Sequence, residues 1–292
     1  MTTADALSSA EAADVTADAL SSAEAAKHVS GLPVGAATAA RAFRAILWRD
    51  IYVTGKEFWV LLIQVAVTPL FMLFIFAKVL GTMSIISPRY GHLLLPGIVA
   101  LSTFLAALQS VALPLVMEFG FTKEIEDRLL APLPTALVAV EKLVVATMRG
   151  LVSASIMYPV GALVIGSAPW RPAGLALMGG MLILGAWTGG AVGMTIGTFV
   201  PPNRINIMFG LIIVPIMFTG AVQYPWPSLD QLRWFQVVTA ANPLTYCSEG
   251  VRAAVVPDVP HIPVGLSALA LTGFALVFST IGVIGFRRRA VS

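Results

Sequence analysis

The side chains that could do chemistry are few and scattered. His28, His92 and His261 fall in three separate regions, and no pair has metal-ligand spacing, so no metal site is assigned. Cys247 is the single cysteine, which excludes an internal disulfide framework and reads as a small buried residue rather than a reactive thiol. Ser153 and Ser155 have no partnering base nearby and are expected to bond a carbonyl one turn back. No stretch fits G-x-x-x-x-G-K-[ST]: Gly55-Lys56 is followed by Glu57 and lacks the earlier glycine, so this chain has no phosphate-cradling loop. No catalytic residue is assigned. What remains is charge next to apolar sequence. Glu118, Glu141, Lys142 and Arg149 are expected toward the cytoplasmic ends of apolar stretches, as a structural cluster on an extension of the third helix or as a functional one. A proton-driven carrier would want a carboxylate near the midplane, and none is expected there.

The elements that carry these residues follow from composition. The chain has 292 residues, 58% apolar and only 11% charged. A soluble globule could not hide that much apolar surface with so few charges, so the chain reads as an integral membrane protein. The 18 basic and 15 acidic residues leave too thin a surplus for a phosphate-tracking patch, which excludes nucleic acid as a partner.

A spanning helix needs roughly 20 mostly apolar residues. Charge-free runs satisfy this at Phe58–Ala77, Leu93–Met117, Gly150–Trp170, Pro172–Asn203, Ile205–Leu229 and Ile262–Phe286, predicting six helices. Continuous apolar runs exclude a β-barrel, whose strands alternate. Pro96, Pro114, Pro159 and Pro215 are compatible with spans whose neighbours satisfy the freed carbonyls. With six spans both termini share a side. That side holds Arg41, Arg44, Arg49, Lys56, Lys123, Arg128, Lys142, Arg149, Arg204, Arg287, Arg288 and Arg289, against Lys78, Arg89, Arg171, Arg233 and Arg252 on the other. The bias places both termini in the cytoplasm.

Residues 1–35 are a different kind of chain. Thr3–Ala13 reads TADALSSAEAA and Thr16–Ala26 repeats it. Five acids, one base and almost no large apolar residue predict a disordered acidic tail, separate from a membrane domain over 36–292. Without the tail the formal charge of +3 becomes +7.

Three segments look like working parts. In Arg41–Phe58, Phe43, Ile46, Leu47 and Ile51 gather on one side of a helix, while Arg41, Arg44, Trp48, Arg49 and Tyr52 lie mostly on the other. This reads as an interfacial helix on membrane lipid, or as simple positive-inside anchoring. In Glu118–Pro134, Phe121, Ile125 and Leu129 form a stripe, and Glu124 and Arg128 make an i,i+4 pair. Thr122 can cap this helix and Pro132 and Pro134 end it, which suits insertion into a partner's groove or a solvated linker. Gln223–Pro263 is too apolar for a free loop and is expected to form short helices dipping into the outer leaflet. Asn242 is the expected cap of one, with Pro243 at its first position. A glycine ladder, Gly185, Gly189, Gly193 and Gly197, predicts close helix packing in the fourth span.

Together these features resemble the ABC-2 family of transporter permeases, of the daunorubicin-exporter and nodulation-factor-exporter types. EIEDRLLAPLP (Glu124–Pro134) and NPLTY from Asn242, with Tyr246 closing it and Arg252 beyond, carry the resemblance. It implies an all-α integral membrane fold of six transmembrane helices with an N-terminal interfacial elbow helix, a cytoplasmic coupling helix and a re-entrant outer cap between helices 5 and 6. Arg41, Arg44, Trp48 and Arg49 match the elbow; Glu124, Glu126, Asp127, Arg128 and Leu129, with Phe121 and Ile125 of the stripe, match the coupling helix; Asn242, Pro243, Tyr246 and Arg252 belong to the cap. It further implies two copies of a separate ABC ATPase subunit, which would bind ATP and Mg, and a second permease, identical or a sister chain. The duplicated tail has no counterpart in that pattern.

The expected function is therefore the permease subunit of an ATP-driven exporter in the cytoplasmic (plasma) membrane, moving an amphipathic, lipid-linked or drug-like cargo and performing no catalysis itself. An ATP-independent secondary carrier or channel is the alternative, and a non-transporting anchor is a third reading.

Overall fold

The structure, a computed structural model, describes residues 41–52 except 42 and 46, then 67–83, 87, 90–119, 135–167 and 169–291. The tail and the segment holding Phe121, Glu124, Ile125, Glu126, Asp127, Arg128 and Leu129 lie outside the described residues.

The described residues are helical, with no strand among them. In chain order they form α1 over 41–52, α2 Val67–Thr82, α3 Tyr90–Met117, α4 Thr135–Ile165, α5 Leu175–Phe199, α6 Ile205–Thr219, α7 Arg233–Ala240, α8 Pro243–Val255 and α9 Val264–Val291. Four of them, α3, α4, α5 with the 3₁₀ turn before it, and α9, are long and apolar enough to cross a bilayer. α2 and α6 are shorter apolar helices.

α3 is the centre of the bundle: every residue from Leu94 to Leu108 is buried. α4, α5 and α8 pack around it. The glycines of α5 set the approach distance. A Cβ on Gly189 would stand 2.5 Å from the Phe104 carbonyl oxygen, and one on Gly197 3.0 Å from Leu115. At Gly193 a methyl would strike the Leu108 carbonyl, and at Gly185 it would strike the Cys247 sulfur. The ladder thus lies against α3 along most of its length and against α8 at one end.

Polar side chains reinforce the seam between α5 and α9. Thr188 and Thr195 each bond the carbonyl one turn back and reach across, to Leu271 O at 3.5 Å and Phe278 O at 3.3 Å. Both donors and both acceptors are seven residues apart, so one helical register satisfies both. Trp187 Nε1 donates to Ser279 Oγ at 3.0 Å across the same seam. In lipid such bonds contribute modestly, since apolar tails offer no competing partner but the unassembled helix finds its own.

Helix bounds depart from the charge-free runs where neighbours change the rules. α4 begins at Thr135, well before Gly150, because its early charges are packed rather than solvated. α6 stops at Thr219, although the charge-free run reaches Leu229. Gly220 ends it, and Ala221 takes a left-handed backbone with φ +48°. α9 instead runs through Arg287, Arg288 and Arg289.

Candidate functional site

Two polar assemblies interrupt the apolar bundle, one at each end. At the first end lie the close of α3, the opening of α4, the close of α5 and the close of α9. Glu118 and Phe119 follow directly on α3. Lys142 Nζ donates to both Glu118 carboxylate oxygens at 2.8 Å, and both side chains are about nine-tenths buried. Two charges that shed most of their hydration need this two-pronged geometry to recover it. Glu141 beside them is also buried.

Phe119 is held from another direction. Its ring meets Phe286 of α9 edge-on at 5.7 Å between centroids, and the Arg289 guanidinium sits 4.9 Å from the Phe119 centroid. Arg289 also donates to the last carbonyls of α5, at Gly197 (3.3 Å), Thr198 (2.8 Å) and, just beyond, Val200 (3.4 Å). These are groups a helix end leaves unsatisfied, and a cation there also complements the helix dipole. Beneath, Val111, Leu115, Val138, Leu143, Met194 and Phe286 form a smaller apolar core, and Phe43 of α1 packs onto it.

α1 shows the two-sided character read from its sequence. Phe43 and Leu47 are partly covered, while Arg41, Arg44 and Arg49 are exposed. Trp48 and Tyr52 are 71% and 60% exposed, a large apolar area for water to face.

Arg149 lies midway along α4 rather than at its end. Its neighbour Gly150 fits against Thr103 O and Ala186 Cβ at 2.8 Å from a would-be Cβ, in the middle of α3 and α5. Ser155 bonds Leu151 O one turn back at 2.9 Å, whereas Ser153 reaches across to Ser102 O at 3.4 Å.

At the opposite end, residues 220–263 fold back onto the bundle. Asn242 caps α8, its side chain accepting from Leu244 N at 2.9 Å, and Pro243 occupies the first turn. From there α8 presents one polar edge to the chain leaving α6. Asn242 Nδ2 donates to Ile216 O at 2.9 Å, Thr245 Oγ1 to Thr219 O at 3.1 Å and Ser248 Oγ to Gly220 O at 2.7 Å. Arg252 Nη2 donates to Ala221 O at 2.9 Å and Val222 O at 3.2 Å, and from α3 the Tyr90 hydroxyl donates to Gln223 O at 2.6 Å. Donors about one turn apart thus answer successive carbonyls. That is how irregular backbone can exist away from water.

Glu249 and Arg252 are fully buried and ion-paired. The Glu249 carboxylate also accepts from Trp226 N at 3.1 Å and Ile262 N at 3.0 Å, pinning both flanks of the segment. Glu249 was not singled out from the sequence. The available signal was an acid and a base three residues apart inside an apolar run. Tyr246 donates to Ala240 O at 2.8 Å, closing the α7–α8 turn. Burial pushes the Cys247 thiol up to about 12, which makes it inert.

Among the described residues no group of His, Cys, Asp and Glu could hold a metal ion. The arrangement brings Ser167 Oγ to 2.7 Å from His92 Nε2, an exposed contact where α3 begins and α4 has ended. It offers a bundle with a charged, multi-helix joint at one end and a tied-down fold-back at the other. The family model described as ABC-2 type transporter matches residues 41–256, about three quarters of the chain. No curated protein matches it.

Proposed function

Because this chain belongs to the ABC-2 type transporter family, a family of membrane transport components rather than catalysts, we propose that it is the permease subunit of an ATP-driven exporter. Two chains form the pathway, as identical copies or with a sister permease. Each engages a separate ATPase subunit, which binds ATP and Mg. Residues 121–129 dock on that subunit, α1 lies at the cytoplasmic face of the plasma membrane, and 223–263 caps the outer face. Six spans put both termini in the cytoplasm. The cargo is amphipathic, lipid-linked or drug-like, in keeping with apolar helices that carry few charges.

The observation that carries this reading is the joint at Glu118, Phe119 and Lys142. It ties together the two helices on either side of residues 120–134, so a segment of that length is anchored at both roots by the bundle it would have to move. The matching family supplies the rest of the support.

The test is gentle purification in detergent with identification of what accompanies the chain. A stoichiometric subunit bearing a Walker A loop, with ATP turnover in the complex, is the expected result. A chain that emerges alone, even after mild crosslinking in its native membrane, overturns the proposal in favour of an ATP-independent carrier.

A further inference from the structure

Phe119 and Glu118 are held by residues of two different helices, and one of those helices is the last of the chain. Lys142 fixes Glu118 from α4. Phe286 and Arg289 fix Phe119 from α9. Arg289 simultaneously holds the end of α5 through three carbonyls. Just below, Pro114 lies inside α3, four residues before Glu118. A proline there removes one ladder bond and weakens the helix at that level. The α3 end is therefore held sideways, by α4 and α9, as well as along its own axis.

From this we infer that a displacement applied to residues 120–134 leaves α3 at Glu118–Phe119 and enters α4, α9 and α5 as one unit, with Lys142, Phe286 and Arg289 as the positioning residues of the relay. The inference rests on the reading of that segment as the ATPase-docking element. Beyond the joint the path is continuous. α9 and α5 are stitched by Thr188–Leu271, Trp187–Ser279 and Thr195–Phe278. α5 then abuts α8 of the fold-back, where Gly185 meets Cys247 and Gly250 meets Met181. Each contact is close enough that moving one side moves the other, because packed interiors deform little. Coupling along this path is read at its far end.

The experiment uses the full chain in complex with its co-purified ATPase subunit, in lipid nanodiscs. A reporter cysteine replaces exposed Asp258 in the turn between α8 and α9 (Asp258→Cys). The probe is a membrane-impermeant maleimide, and the labelling rate is compared without nucleotide and with ATP plus vanadate. Buried Cys247 stays silent as background. Unaltered joint residues should give a nucleotide-dependent rate. Lys142→Met, Phe286→Leu and Arg289→Gln should each shrink that dependence by about fivefold or more while ATP turnover continues. Lys142→Arg, which keeps the pair, should restore it. A nucleotide response in all three variants equal to that of the parent overturns the relay and leaves the exporter reading intact. A parent complex that turns over ATP but shows no nucleotide response at residue 258 overturns the relay, whereas a chain that yields no ATPase subunit on purification overturns the docking reading on which it rests. If Lys142→Met does not assemble, Phe286→Leu, which keeps apolar bulk and removes only the ring contact, decides the matter.

Discussion

Lys142 Nζ stands 2.8 Å from each carboxylate oxygen of Glu118, twenty-four residues away in sequence and nearly out of reach of water. Removing one partner strands the other as a buried, uncompensated charge. Lys142→Met should therefore lower stability by about 3–5 kcal/mol, whereas the double change Glu118→Gln with Lys142→Met should recover most of it. Thermal unfolding of the detergent-purified chain checks this; equal losses in the single and double variants would refute the account.

Glu249 and Arg252 form the second buried pair, but here each partner also serves backbone groups. A double apolar replacement should not rescue this site, since Trp226 N, Ile262 N, Ala221 O and Val222 O would all lose their partners. Glu249→Gln alone should cost about 3 kcal/mol or more. Limited proteolysis within residues 220–263 is the readout, and unchanged protection in Glu249→Gln would count against the assignment.

The glycines of α5 should separate into two classes. Gly193→Ala places a methyl on the Leu108 carbonyl and should destabilise by about 1–3 kcal/mol through overpacking. Gly180→Ala meets nothing within 4 Å and should be neutral or stabilising by about 0.5–1 kcal/mol. Paired melting curves in one detergent make the comparison, and similar shifts for both would mean the ladder does not set the helix spacing.

Cys247 should ignore thiol reagents. Burial pushes its thiol up to about 12, so at pH 8 it is held as the unreactive thiol. A membrane-permeant maleimide should label the protein in denaturing detergent and not before. Rapid labelling of the folded chain at pH 8 would show that α8 opens.

Reversing the pair within the proposed docking helix tests the function itself. Glu124→Lys with Arg128→Glu should reduce export by about fivefold or more while ATP turnover persists. Because the swap restores a pair, each single change is required beside it. Full export in the double variant would remove these residues from the docking surface.

Much of this architecture was legible because lipid leaves few choices. Uninterrupted apolar runs become helices, and α3, α5 and α9 lie within or close to their charge-free stretches. The extension of α4 that carries Glu141 and Lys142 could be anticipated; Arg149 midway along the helix and the partner of Lys142 could not. Lys142 is accommodated inside α4 because Glu118, distant in sequence, arrives to meet it. The end of α6 was equally hidden. Its last carbonyls are answered by side chains from residue 242 onward, and nothing within the α6 run itself signals that supply. Arg252 could be placed near the cap from sequence, but its role as a double carbonyl donor depends on the left-handed turn at Ala221.

The edge of α8 that answers those carbonyls has a consequence for how the chain is made. The acceptors at 216–222 leave the ribosome before their donors at 242–252. Until Arg252 emerges, the stretch after α6 carries exposed amides that the hydrocarbon interior rejects. On the proposed outer-cap reading, residues 216–252 are therefore expected to enter the bilayer as one parcel. A nascent chain halted before residue 252 should remain beside the insertion machinery, and one released just after it should not.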